Sequence, residues 1–468
     1  MEIKLTFLGG VQNVTGSRYL LETDGSKFLI ECGLFQERQN LERNWYPFEI
    51  SPAKLDGILL THAHLDHCGL IPKLVKEGFN NPIYCNSATA EIAKIVFMDS
   101  AKIQVEDAEF KRKRHEREGR KGRFPEIPLY TLDDAEATFP LLYTAEYKNR
   151  VEIGEGIEAT FYDAGHILGS SMIEIKVKQG KEERIIVFSG DIGRSERPLL
   201  NDPTAFEKAD YIVMESTYGN RSLEAPDKSA DVLADVINRT VKAKGNIVIP
   251  SFALERAQEV LYHLNKLKLQ SRIPELLVFL DSPMAVSVTD VFEHHIDLLD
   301  KEMHELISHG NSPFHFNGLH LIRSIEESKA INQITGTVII IAGSGMCNGG
   351  RIKHHLVKNI TRPESTILFV GYQAEGTLGR QIVDSSPNVR ILGQNYPVLA
   401  QINQLNGFSS HADREYLLKW LSGYRKPPRK LFITHGEKEA ATNFKELVKD
   451  KFGWSPVVPS YKDSILLT

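Results

Sequence analysis

His62-Ala-His64-Leu-Asp66-His67 is the stretch on which the reading of this chain turns. Three imidazoles and a carboxylate fall within one short segment, directly after the apolar run 57–61. A strand that ends in a tight loop aims several short side chains at one point. Imidazole nitrogen and carboxylate oxygen bind Zn²⁺ at about 2.0–2.2 Å, so one loop of this composition can supply donors to two adjacent ions. An ordinary surface loop rarely collects so many donors. The next segment, Cys68-Gly-Leu-Ile-Pro-Lys-Leu-Val-Lys76, reads as the start of a helix, whose N-terminus favours anionic ligands.

Three more candidate donors share one context. His166 lies in Asp163-Ala-Gly-His-Ile-Leu-Gly-Ser170, Asp191 in Phe188-Ser-Gly-Asp-Ile-Gly193, and His435 in Phe432-Ile-Thr-His-Gly-Glu437. A lone histidine is more often packed or solvated than a ligand. Each of these three residues, however, sits at the end of an apolar run beside a glycine, where loops carry function.

Working outward, strand-like runs at 2–8, 19–23, 27–31, 57–61, 83–85, 157–163, 171–177 and 185–189 alternate with helical periodicity at 69–77 and 88–112. From about residue 208, the near-continuous apolar runs 246–250, 276–281, 337–342 and 365–371 are separated by helical stretches such as 254–267 and 286–299. That pattern predicts a parallel sheet buried on both faces. Meander-like alternation returns at 400–405 and 430–433. The expected organisation is therefore α/β: a first domain begun over 1–207, a second over 208–384, and the first completed over 385–468.

The 468 residues, 41% hydrophobic and 25% charged, fit a globular chain of more than one core. Four cysteines (Cys32, Cys68, Cys85 and Cys347) form no CxxC pair, which excludes a zinc ribbon or redox motif and fits a reducing compartment. The opening residues have no signal-peptide pattern, and no run approaches the ~18 apolar residues of a membrane span. A cytoplasmic protein without a membrane partner is expected. Net charge of −5 argues against a generalised polyanion-binding surface. Residues 111–123, KRKRHEREGRKGR, depart from that average with eight Lys/Arg against two Glu. They read either as a solvated helix face or mobile arm, or as a polyanion contact.

The ordered series THAHLDH, AGHILGSS and FSGDIGR resembles the metallo-β-lactamase superfamily. Met214-Glu-Ser-Thr-Tyr-Gly-Asn-Arg221, Gly407-Phe-Ser-Ser-His-Ala-Asp413 and Thr434-His-Gly-Glu437 resemble motifs of its β-CASP branch of nucleases, and the likeness runs through essentially the whole chain. It implies an αββα sandwich interrupted by an inserted α/β β-CASP domain. It also implies that His62, His64 and His166 hold one metal, Asp66, His67 and His435 the other, and that Asp191 bridges them. Asp66 would further orient the nucleophile, and His411, partnered by Glu215, would assist the leaving group. Glu31 stands where the family usually has Asp, a position that supports the metal site without ligating. Glutamate can still accept a hydrogen bond from a ligating imidazole.

Two Zn²⁺ are the implied cofactors, with Mn²⁺ or Fe as alternatives. Paired cations suit a phosphodiester because they supply hydroxide at neutral pH and offset phosphate charge. The expected function is RNA cleavage, endonucleolytic with additional 5′-exonuclease action, on single-stranded RNA. A DNA nuclease, a small-molecule ester or thioester hydrolase and a non-catalytic processing subunit are the alternatives. Gly343-Ser-Gly-Met-Cys-Asn-Gly-Gly-Arg351 resembles a family segment, so Ser344 and Gly345 are candidate phosphate contacts. Arg256 and Arg380 are further candidates, each with a structural ion pair as the rival reading.

Overall fold

The computed structural model describes residues 2–222, 227–405 and 407–468, without the side chains of residues 227 and 228. Its contacts divide the chain into two compact units: 1–195 with 202–222 and 411–468, and 196–201 with 223–410.

The first unit holds two sheets. One has seven strands in the order Ser464–Leu466, Lys4–Gly9, Arg18–Glu22, Lys27–Ile30, Gly57–Leu59, Ile83–Cys85 and Leu142–Thr144. The other has six, ordered Lys430–Thr434, Tyr211–Glu215, Glu182–Phe188, Ser171–Gln179, Ile157–Asp163 and Arg150–Gly154. Alternating side chains explain the layering. Phe7, Tyr19, Ile30 and Leu59 of one sheet meet Phe161, Ile173, Phe188 and Phe432 of the other in one buried core. Met172, Val187, Met214 and Ile433 point the opposite way, against Leu417 and Trp420 of helix Arg414–Leu421 and Phe444 and Val448 of helix Lys438–Phe452. Helices Ser87–Glu118 and Leu132–Glu136 pack together beyond the first sheet. This is the expected αββα sandwich.

The second unit is built on six parallel strands in the order Leu319–Leu321, Leu277–Asp281, Val338–Ala342, Ile247–Pro250, Thr366–Phe369 and Gln401–Gln404. The fully buried Val338–Ala342 and Ile247–Pro250 show why these runs are apolar throughout. At the end of Leu277–Asp281, the buried Asp281 carboxylate accepts hydrogen bonds from Arg351 (2.7 Å) and Ser328 (2.5 Å) and faces His355 Nε2 at 2.6 Å.

Two expected boundaries shift. Residues 208–222 belong with the first unit, because Tyr211–Glu215 pairs on both sides with its strands Glu182–Phe188 and Lys430–Thr434. The second unit runs on to 410 rather than 384, because Gln401–Gln404 closes its sheet beside Thr366–Phe369. The segment 62–67 also turns helical earlier than read. Leu65–Cys68 is already a helical turn, with His64 at its N-cap, and Ile71–Lys76 follows separately.

Candidate metal centre

Strand direction brings the candidate donors together. Glu182–Phe188, Tyr211–Glu215 and Lys430–Thr434 run parallel and in register, Phe188 beside Val213 and Val213 beside Phe432. Asp191, Glu215 and His435 therefore emerge at the same sheet edge. In the facing sheet, Lys27–Ile30 and Gly57–Leu59 are also parallel, and Glu31 and His62 leave their ends. Gly190, just before Asp191, has φ +53°, and a Cβ there would lie 2.8 Å from Thr61. Only glycine lets the two sheet ends approach this closely.

Two donor groups result. His64 Nδ1 lies 3.1 Å from His62 Nε2 and 3.2 Å from His166 Nε2, and Asp191 Oδ2 lies 3.5 Å from both Nε2 atoms. In the second group, His67 Nε2 lies 3.0 Å from His435 Nε2 and 3.3 Å from Asp191 Oδ1, while Asp66 Oδ2 is 3.5 Å from His435 Nε2. Four donors placed tetrahedrally at zinc bond lengths stand about 3.3–3.6 Å apart, close to these spacings. Asp191 Oδ1 is buried without a hydrogen bond. A carboxylate oxygen aimed at ring nitrogens with none donating to it is uncompensated unless a cation stands among them. The donors fit a metal centre.

In the first donor group the proton balance agrees, whereas in the second burial lowers His67 but the carboxylates of Asp191 and Glu31 outweigh it and raise the ring well above the usual imidazole range. Burial pushes His62 well down and His64 down to about 4, although Asp191 pulls both the other way, so both rings are neutral with a lone pair to offer. Asp191 would be raised by burial, yet the surrounding imidazoles, led by His435, hold it well below the carboxylate range.

Around the donors lies a ring of supports. Glu31, itself buried, accepts from Thr61 N at 2.9 Å and places its other oxygen 3.3 Å from His67 Nδ1. The carboxylate oxygen stands beside the imidazole, but neither Glu31 Oε2 nor His67 Nδ1 makes a hydrogen bond there. Thr61 Oγ1 stands 2.9 Å from His62 Nδ1, and Thr217 Oγ1 3.1 Å from His435 Nδ1. These two threonines escaped the sequence reading.

Glu215 is buried and held by Ile192 N at 2.6 Å, and its Oε1 lies 3.4 Å from His411 Nδ1. His411 is latched beside Asp191 by the bridge from Gly193 and by Ala412 N to Ile192 O at 2.7 Å. Burial opposes charge on His411, but the Glu215 and Asp191 carboxylates outweigh it and raise the imidazolium to about 9. With Nδ1 turned inward, Nε2 is the nitrogen left for a ligand.

Three family models match: the metallo-β-lactamase superfamily over 13–250, the Beta-Casp domain over 257–382, and the Zn-dependent metallo-hydrolase RNA specificity domain over 395–459. The chain is 36% identical to Ribonuclease TTHA0252 of Thermus thermophilus, across 93% of this chain and 94% of that protein. The chain belongs to the β-CASP branch of the metallo-β-lactamase superfamily. A transcription termination factor FttA of Methanosarcina mazei is 31% identical over 96% of this chain and 69% of its own length. A crystal structure from Enterococcus faecalis V583 shares the fold at a TM-score of 0.59 and 12% identity, covering 100% of both chains.

The remaining candidates lie in the β-CASP unit. Ser344 Oγ caps its own loop, accepting from Gly349 N at 3.3 Å. Gly345 packs on Phe252, where a Cβ would stand 2.7 Å from the ring. Arg256 opens helix Arg256–Leu269. Arg380 is bound through Nε to both oxygens of Asp384, at 2.9 and 2.8 Å, which is the ion pair weighed against a substrate role. Among the described residues, no helix is long and apolar enough to cross a membrane.

Proposed function

We propose that this chain is a two-zinc ribonuclease that hydrolyses single-stranded RNA in the cytoplasm, endonucleolytically and also from the 5′ end. The observation that carries the proposal is the placement of Asp191. Its Oδ2 faces His62 and His166 at 3.5 Å while its Oδ1 faces His67 at 3.3 Å, so one carboxylate serves two donor groups. The ribonuclease relative and the RNA specificity model over 395–459 support RNA as the polymer. The same donors accept Mn²⁺ or Fe, and supply decides between them.

His62, His64 and His166 would hold one cation and Asp66, His67 and His435 the other, with Asp191 offered to both. When bound, such a pair acidifies water and offsets the charge of the phosphodiester. Asp66 is only partly buried, so its carboxylate would be placed to accept a hydrogen bond from the attacking water and align it. Glu31 and the two threonines keep the ligating rings in orientation. As the P–O3′ bond breaks, His411 gives the proton on Nε2 to the departing oxygen, and Glu215 stabilises the imidazolium from Nδ1. The products carry a 5′-phosphate and a 3′-hydroxyl.

The test uses one RNA labelled at either end with wild-type, His64→Ala and His411→Ala proteins, beside zinc analysis. The wild type should cut. His64→Ala should lose cleavage and metal, and His411→Ala should keep its metal but slow by about 10²–10⁴-fold. Equal cutting by all three would overturn the assignment.

A further inference from the structure

Helix Ser87–Glu118 spans 32 residues, yet its buried positions end at Ala108. Of the last ten residues only His115 is half-buried, pinned by Glu126 Oε1 at 2.5 Å from its Nδ1. Two turns and more of helix, about 15 Å at 1.5 Å per residue, thus extend without a core to cover. The chain has 56 Lys/Arg against 61 Asp/Glu; removing the eight and two of residues 111–123 leaves 48 against 59. Positive charge is concentrated here on a protein whose remaining residues are net negative.

The projecting face is not uniformly charged. Ile103 and Phe110 are 52% and 60% exposed and stand seven residues apart, on one side of the helix. Arg114 and Arg117 continue the same side at four and seven residues beyond Phe110. Acidic neighbours engage part of the charge: Lys111 with Asp107, Lys113 with Glu109, Arg114 and Arg120 with Glu118, and Arg123 with Glu42. Arg117 Nε donates to the carbonyl oxygen of Lys113 at 3.2 Å, and Arg112 and Lys121 are exposed. The chain beyond Gly119 is tied back by Gly122 N to Glu126 at 3.0 Å, so the basic residues are presented on an ordered support.

We propose that this helix end is a docking surface for single-stranded RNA, with Phe110 stacking on a base and Arg114, Arg117 and Lys121 contacting the phosphates. The inference rests on the ribonuclease reading for its polymer. An exposed aromatic ring followed by guanidinium groups on one helical face meets the two needs of a single strand: a π surface for any base, and cations at successive turns for its backbone.

The test compares wild-type protein, Arg114→Gln/Arg117→Gln/Lys121→Gln and Phe110→Ala, each depleted of metal by chelation so that RNA is bound and not cut. Binding of a labelled unstructured RNA is measured over a range of salt. The triple variant should bind roughly tenfold more weakly, and the slope of log affinity on log salt should fall by about 2, since each phosphate contact on a single strand contributes ~0.7. Phe110→Ala should bind at least about fivefold more weakly with the slope unchanged. Circular dichroism should match the wild type in both. Wild-type affinity and slope in both variants would overturn the docking surface and return the face to a protein partner, while the loaded wild type still cut RNA. Failure of loaded wild-type protein to cut any RNA would instead defeat the ribonuclease reading.

Discussion

Thr217 Oγ1 lies 3.1 Å from Nδ1 of His435 and 3.1 Å from the carbonyl oxygen of the same residue. One hydroxyl has one proton. Donated to the carbonyl, it leaves the oxygen to accept from Nδ1–H, which fixes the tautomer with a lone pair on Nε2, the nitrogen facing His67 and Asp66.

Thr217→Val keeps the shape and removes that control. Zinc affinity, read by competition with a chromogenic chelator, should fall about 10–100-fold, and Thr217→Ser should recover most of it. Undiminished affinity in the valine variant would show that the hydroxyl does not set the ring.

Asp191 and His64 should differ in how much metal they cost. Asp191 faces both donor groups, whereas His64 belongs to the group with His62 and His166. Asp191→Asn should lose both equivalents of zinc by elemental analysis, and His64→Ala about one. Equal losses would contradict a bridging carboxylate.

Asp281 should matter for the stability of the β-CASP unit and not for metal. Burial alone would raise its pKa, but the bonds from His355, Ser328 and Arg351 hold it below the usual carboxylate value. A depressed folded value means the contribution is complete above the unfolded pKa near ~3.9 and is lost as pH falls through the folded one. Asp281→Ala should destabilise by about 3–5 kcal/mol at neutral pH with zinc content unchanged. Calorimetry showing the variant as stable as wild type at pH 7 would refute this.

Much of the centre was legible because its chemistry is concentrated. Six consecutive residues hold four donors, and His166, Asp191 and His435 each stand beside a glycine at a strand end. Thr61 and Thr217 carry no such signature. Thr217 acts only because Glu215 and Thr434 are in register on adjacent strands and because His435 bends to φ +44°. Neither fact is local. The domain boundary at 208 failed for a similar reason: Tyr211–Glu215 is buried throughout, like the parallel strands of the second unit, and only its partners assign it to the first. Gln401–Gln404 is polar along an exposed edge, so nothing in its pattern tied it to a parallel sheet.

The strand Lys430–Thr434 also decides whether the second donor group is complete. Tyr211–Glu215 pairs on one side with Glu182–Phe188, near it in sequence, and on the other with Lys430–Thr434, far along the chain. His435 arrives with that closing strand. Without Lys430–Thr434 the second donor group would lack His435, and Tyr211–Glu215 would be left as an open sheet edge with unpaired backbone groups.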